Sequence, residues 1–458
     1  MKGKLIIPIL AIEFALFIIL LLLVSIKAAI VLFCGGIIVT IVFFKPFWGL
    51  LIYLFMLYLR PQEFVSALKN QPLMLAMAFV VLGTLIIHNV IQRKPFVIFN
   101  MRQAIFMIVF LLLIPLSQLQ RFYLTGAKLG FQEFLPTFLM FFMIINLITD
   151  MNQLKKTFYL LLFMTLFISL NGILQYHRGL DIAGRTTTVD GRIRWVGIFD
   201  DPNDLGLTIL VFMPFALLKL LERYKPLLLR ILWILILGAL LYALYLTNSR
   251  GTFIGLLVVL FYFLIKRLGV IRGGLIGIAL TAGLYLIGPS RLEDINVREA
   301  SASGRIDAWI TGLRLTIRRP ILGVGYGRFT EFHHLTAHNS VVLCMTELGL
   351  VGLFVWLSMI VTSFREMIVA EKYTQGTELS GYAETLQMTI VGFMAAAFFL
   401  SRTYNEIIYI IIALCTLFSY FTRRDHGYKI PFFSLKTLTR VLVTMVILVM
   451  LVRLFVSF

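Results

Sequence analysis

Apolar stretches of membrane-crossing length recur more than a dozen times along this 458-residue chain. A run of about 17–25 such residues is long enough to span a hydrocarbon layer of roughly 30 Å. Inside lipid no water is present to bond the backbone, so only helices and closed barrels satisfy their own N–H and C=O groups. The runs are continuous rather than alternating, which selects helices over strands. Composition agrees: 60% of residues are hydrophobic, 14% are charged and the mean hydropathy is +0.96, whereas soluble globular chains carry about 25% charge. The expected fold is all-α, a polytopic membrane protein of about 14 transmembrane helices whose constant partner is the lipid bilayer. No nucleic-acid partner is expected.

Spans are expected near 5–24, 28–44, 47–59, 73–91, 103–119, 134–149, 157–175, 204–219, 228–247, 252–265, 273–288, 339–362, 384–401 and 404–421. A further candidate, 438–457, contains Arg453 and either spans or lies in the interface. The start, MKGKLIIPILAIEF, has the basic and apolar regions of a signal peptide but no small-residue cleavage site, so it reads as a retained first span. Cys34, Cys344 and Cys415 are scattered through apolar runs and read as small buried hydrophobes, not as a metal site or a disulfide framework. Three regions follow: 1–288, with eleven spans and an outer loop at 176–203; 289–338, a large loop; and 339–458, the C-terminal spans.

Lysine and arginine in short loops set the orientation. With the N-terminus inside, every short inside loop is basic, for example Arg93/Lys94/Arg102, Lys155/Lys156 and Lys266/Arg267/Arg272. The 176–203 and 289–338 segments then lie outside. Arginine dominates the outside set, while lysine is in the majority inside. Arginine presents a planar fork that grips phosphate through two bonds, which lysine cannot do. Arginine also tolerates the interface by snorkelling, so its abundance outside has two readings.

The region from Pro289 to Gly352 concentrates polar chemistry. It holds Arg291, Arg298, Arg305, Arg314, Arg318, Arg319 and Arg328 before His338, with no lysine, and three histidines, His333, His334 and His338. Within it, 303–319 has the spacing of an amphipathic surface helix: Ser303 as cap, Ile306, Trp309, Ile310, Leu313 and Ile317 on one face, Trp309 at headgroup level, and Pro320 as stop. GVGYG (Gly323–Gly327) fits neither a Walker A loop nor a dinucleotide fingerprint and reads as a flexible loop. The histidines do not form an HExxH motif, so no metal is expected. His338 falls where the loop enters the span starting near Asn339. Glu347 lies inside that span, where an ionisable group needs a partner; Arg250 and Arg402 are candidates. TNSRG (Thr247–Gly251) holds Arg250 at a membrane rim. In FDDPNDLG (Phe199–Gly206), Asn203 or Asp204 is the expected cap of the next span, and the doubled Asp200/Asp201 is a weak cation candidate.

These residues resemble the O-antigen ligase and polymerase superfamily of bacterial envelope glycosyltransferases. The carrying match is His338-Asn339, nine residues, then Gly349-Leu-Val-Gly352. GRIDAW (Gly304–Trp309), PILGVGYGRF, the SRG turn at Ser249–Gly251 and DPNDLG at Asp201–Gly206 support it, and RPQE (Arg60–Glu63) is similar to a subgroup of O-glycosylation ligases. The resemblance implies a multi-pass protein of the bacterial inner (cytoplasmic) membrane with its N-terminus in the cytoplasm and its active site facing the periplasm. It implies a glycan donor on a polyprenyl diphosphate such as undecaprenyl diphosphate, and an acceptor on lipid A core, protein or glycan. It implies no cofactor and no metal. Carried over, His338 matches the catalytic histidine, and Arg250 and Arg305 match arginines that hold the donor diphosphate. Arg319, Arg328, Asn339, Glu347, Arg194 and Asp201 are supporting candidates. The family's further Thr-Gly is replaced by Leu353-Phe354, which leaves ligase and repeat-unit polymerase both open. A transporter or flippase of lipid-linked glycans is the alternative of another class; it would place its polar residues near mid-membrane in two related halves.

Overall fold

The computed structural model describes residues 8, 11–19, 26–65, 68, 71–93, 96, 101–222, 226–287, 295–431 and 434–456. Their order is α1 (Ile26–Phe44), α2 (Pro46–Leu59), α3 (Leu73–Gln92), α4 (Arg102–Leu119), α5 (Leu124–Leu147), α6 (Met151–Arg178), α7 (Pro202–Leu221), α8 (Leu227–Leu246), α9 (Arg250–Leu268), α10 (Val270–Ile287), α11 (Ile295–Arg318), α12 (Ser340–Tyr373), α13 (Glu378–Ala397), α14 (Glu406–His426) and α15 (Leu435–Val456). No strand occurs among the described residues.

Ten of these helices, α3 to α9, α12, α14 and α15, are long and apolar enough to cross a membrane. The fifteenth candidate is therefore one of the ten, whereas several expected spans are not. Of the expected first span only residues 8 and 11–19 are described, and they are helical. α2 has 14 residues, α1 and α10 offer only shorter apolar segments, and α13 carries Glu378, Glu384 and Gln387 along its 20 residues. Cys34 is exposed on α1, unlike Cys344 and Cys415, which are buried.

α12 is the centre of the molecule. It packs against α4, α13, α14 and α15, and α11 lies on its N-terminal half. It runs 34 residues, eleven beyond the expected end, because SFREMIVAEKY continues the helix past the lipid-length run. In that extension Glu366 is 2% exposed and forms an ion pair with Arg102 of α4, 5% exposed. Arg102 also donates to Pro431 O at 3.1 Å. A charge from a basic loop is thus an interior strut. Breaking such a buried pair typically costs about 3–5 kcal/mol, since the remaining charge has no solvent.

The connections sort into two ends of the bundle. At one end, Trp195 Nε1 donates to Tyr58 O (2.9 Å), Arg192 Nε to Thr247 O (2.8 Å) and Gln118 Nε2 to Tyr326 O (2.6 Å). These bonds tie the loop after α6 to the ends of α2 and α8, and the end of α4 to the long segment before α12. At the other end, Lys155 pairs with Glu378, Lys266 with Glu371 (2.6 Å) and Arg267 with Glu384 (2.9 Å).

Candidate active site

Asn339 closes the N-terminus of α12. Its Oδ1 accepts from Val341 N (2.9 Å) and Val342 N (3.1 Å), filling two donors that every helix start leaves open. His338, one residue earlier, has φ +47°, a left-handed conformation that a side-chain-bearing residue adopts only where its surroundings enforce it. The enforcement is visible on both sides. Trp309 Nε1 donates to Ala337 O (2.9 Å). Ser340 Oγ donates to Leu400 O (2.6 Å) and accepts from Arg402 N (2.8 Å), while Thr403 Oγ1 donates to Ser340 O (2.8 Å).

The helix that supplies Trp309 differs from expectation. α11 starts at Ile295, so position 303 falls inside it rather than at its N-cap. Its buried face is Ala308, Trp309, Gly312, Leu315 and Thr316, with Trp309 only 4% exposed, whereas Ile306 and Ile317 are exposed. Small residues let α11 approach α12 closely, and Thr346 Oγ1 donates to Gly312 O (3.2 Å). Ile306 and Ile317 are left facing outward, and the buried Trp309 anchors the His338 segment instead of sitting among headgroups.

α12 is interrupted at Gly349, where φ is +71° and ψ −172°. A Cβ there would come within 2.1 Å of Ile321 O, so only glycine fits. The break frees backbone groups, and the glycine-rich loop fills them. Val324 N donates to Thr346 O (2.8 Å) and Gly325 N to Glu347 O (3.0 Å), while Leu350 N donates to Pro320 O (2.7 Å). Gly323, with φ +69°, packs against the Glu347 backbone in the same way. From the opposite side, Gln120 Nε2 donates to Gly323 O (2.8 Å) and Arg121 Nη1 to Val324 O (3.1 Å). GVGYG is therefore a docked plug, not a flexible loop. Glu347 belongs to this lock. Its carboxylate accepts from Phe329 N (3.1 Å) and Tyr404 OH (2.9 Å), and neither Arg250 nor Arg402 is its partner.

Charge converges on His338 from separate segments. Arg250 is the first residue of α9, and Arg305 lies on α11. Their charges are close enough that, after burial, Arg250 holds the Arg305 pKa below its ordinary value. The half-buried His338 imidazole is lowered below 6.5, first by burial, then by Arg305 and Arg402, with Asp201 opposing and His333 adding to the fall. Among the described residues the imidazole makes no hydrogen bond, so a ring nitrogen is available to accept a proton. The cluster is a histidine of lowered pKa beside arginines, an arrangement suited to taking a proton from a hydroxyl while a polyanion leaves.

Residues 233–357 match the family described as O-antigen ligase. The chain carries an O-antigen ligase domain. No curated protein matches the chain. The ligase domain runs from within α8 through the break in α12 and contains Arg250, Arg305, His338, Asn339 and Glu347.

Outside the ligase domain, Asp201, not Asn203 or Asp204, caps α7, accepting from Asn203 N (2.8 Å). It also accepts from Arg402 Nη2 (2.6 Å), and Arg402 pairs with Asp204 as well. Asn203 Oδ1 accepts from Ser249 Oγ (2.8 Å) and Arg192 Nη2 (2.9 Å), joining DPNDLG to the SRG turn beside the ligase domain's Arg250. Three supporting candidates stand apart from this cluster. Arg194 is paired with Asp200 (3.4 Å), which Arg185 also holds. Arg328 is paired with Glu331 (2.8 Å) and lies over the Tyr123 ring. Arg319 is exposed just past α11, some 20 Å along the axis from Arg305. His333 Nε2 donates to Asp307 Oδ2 (3.1 Å) and its Nδ1 accepts from Leu335 N (3.0 Å). Arg402 and Asp204 were absent from the site read in sequence. The available signal was a matched pair of polar turns, Asp201–Asp204 and Ser401–Asn405, opposite in charge and each flanked by apolar helices.

Proposed function

We propose that this protein transfers a glycan from a polyprenyl diphosphate to an acceptor hydroxyl. The acceptor O–H gives its proton to His338, the oxygen bonds to the anomeric carbon, and the bond from that carbon to the diphosphate breaks. The diphosphate leaves with the bonding pair, and Arg250 and Arg305 hold its growing charge. What supports this reading is that Arg305 is close enough to act on His338 and Arg250 close enough to act on Arg305, the three coming from separate segments all within the ligase match. On the lysine and arginine bias of the loops, this end of the bundle faces the periplasm and the N-terminus lies in the cytoplasm of a bacterial inner membrane. The acceptor decides between ligase and polymerase, and lipid A core, a protein and a second lipid-linked repeat are the candidates. No metal is assigned to the reaction.

A flippase would use a discontinuous helix too, with the freed backbone groups lining its substrate path. In α12 those groups are bonded by Pro320, Val324 and Gly325 of the same chain, which weighs against transport. The test is reconstitution in vesicles with a defined polyprenyl-diphosphate glycan, followed by mass analysis of candidate acceptors. Covalent transfer that disappears in His338→Ala is the expected result. Lipid carried across the bilayer with no transfer overturns the proposal.

A further inference from the structure

At the end of α6 remote from the arginine-bearing turns lies a cavity of about 460 Å³ that the transfer chemistry does not use. α6 has 28 residues, so roughly 42 Å separate its two ends, and the cavity and His338 lie toward opposite membrane faces. The lining comes from the α1–α2 junction, the last turns of α3, and the α5–α6 junction. Lys45 and Lys156 both line it, both exposed, and no acidic residue does. The remaining polar wall is rich in amides. Gln153 Oε1 accepts from Thr149 N (2.9 Å), which turns its carbonyl away and leaves its N–H pair as donors. His88 Nε2 donates to Phe43 O (2.8 Å), which fixes the ring against the α1 end of the wall. Trp48, 48% exposed, stands at the rim, with Phe47 and Leu85 making the apolar part.

Two cations, amide donors, no carboxylate and an aromatic rim at a helix-end level describe a receptor for a phosphate attached to an apolar body. We propose that this cavity binds the headgroup phosphate of an anionic phospholipid, with Lys45 and Lys156 on the phosphate and Trp48 at the acyl boundary. A soluble phosphate would use the same lysines but gain nothing from Trp48 and Phe47. The site is independent of glycan transfer, so His338→Ala retains it.

The test uses full-length protein, delipidated in an uncharged detergent and followed by native mass spectrometry. It is titrated with phosphatidylglycerol, phosphatidylcholine and inorganic phosphate at equal concentrations. Phosphatidylglycerol is expected to be retained in preference. The Lys45→Gln/Lys156→Gln double variant is expected to bind it about thirtyfold more weakly, roughly fivefold for each charge. Gln92→Glu keeps both lysines and adds a carboxylate to the wall, and it is expected to weaken binding too, which covers the case of a misfolded double variant. Equal retention of phosphatidylcholine, or unchanged binding in both variants, overturns the site. Inorganic phosphate that displaces phosphatidylglycerol overturns the lipid and assigns the cavity to a soluble anion.

Discussion

His338 is pulled two ways by its neighbours, and the balance is measurable. Burial and the charges of Arg305 and Arg402 lower its pKa, while Asp201 raises it. A general base works when neutral, so transfer should persist somewhat below pH 6.5 and fall as the imidazole takes a proton. Arg305→Gln removes a lowering charge; the acid limb of kcat/KM should move to higher pH. Asp201→Asn should move it lower. A limb that stays in place in both variants removes His338 from the base role. His338→Ala should reduce transfer by about 10²–10⁴ in protein that still inserts and purifies as a single species; wild-type rates in that variant sink the assignment. Arg250→Lys and Arg305→Lys should lose most of the donor affinity that the alanine variants lose, because a point charge does not replace a two-bond fork. Donor titrations of the four variants decide this.

At the scale of elements, the site depends on how α11 and the plug fix the entrance to α12. Trp309→Phe keeps an aromatic ring, though a smaller one, and deletes the donor to Ala337 O. Its stability cost should be about 1 kcal/mol, yet kcat should fall while donor affinity holds, since His338 loses one of the bonds that enforce its backbone. A fall in affinity with kcat unchanged would count against this positioning. Gly349→Ala places a methyl against Ile321 O in a conformation reserved for glycine. It should cost about 1–3 kcal/mol and lower the thermal midpoint in detergent, whereas Gly376→Ala, at a glycine with open space around it, should cost less. The helical elements were readable from apolar length, and the His338-Asn339 entry to α12 from the change there from a polar loop to an apolar run. The α11 face was misread because periodicity ranks residues by hydrophobicity. In lipid, large apolar residues face outward at no cost, and small ones such as Ala308 and Gly312 make the contact. The plug was unreadable for a related reason: glycines that give flexibility in a free loop give close approach when a partner backbone is present.

Across the whole molecule, sorting the turns to two ends needed only alternation and charge, and the hydrogen bonds between distant turns agree with it. What sequence reading could not supply was pairing. Arg250 and Arg402 were candidate partners of Glu347 on charge alone, but Tyr404 and Phe329 serve Glu347, and Arg402 serves Asp201 and Asp204. Charge complementarity has no range in sequence, so every buried acid looks like a partner for every arginine. The network predicts a coupling. Arg402→Ala and Asp204→Asn should each reduce transfer, and the double variant should lose less than the sum, by about 0.5–3 kcal/mol of interaction. Strict additivity would show that the two residues act separately.

The docking of Pro320–Gly325 into α12 also sets where the chain can be cut. Glycine-rich loop tips are the usual sites of proteolytic nicking, and GVGYG would be chosen on composition. A protease needs an extended, freely rotating backbone, and Val324 and Gly325 are committed to the carbonyls of Thr346 and Glu347. The amides of those two residues should therefore exchange with deuterium on the slow timescale of the helix interior, and the loop should outlast the exposed turn around Phe122 during digestion of the native protein.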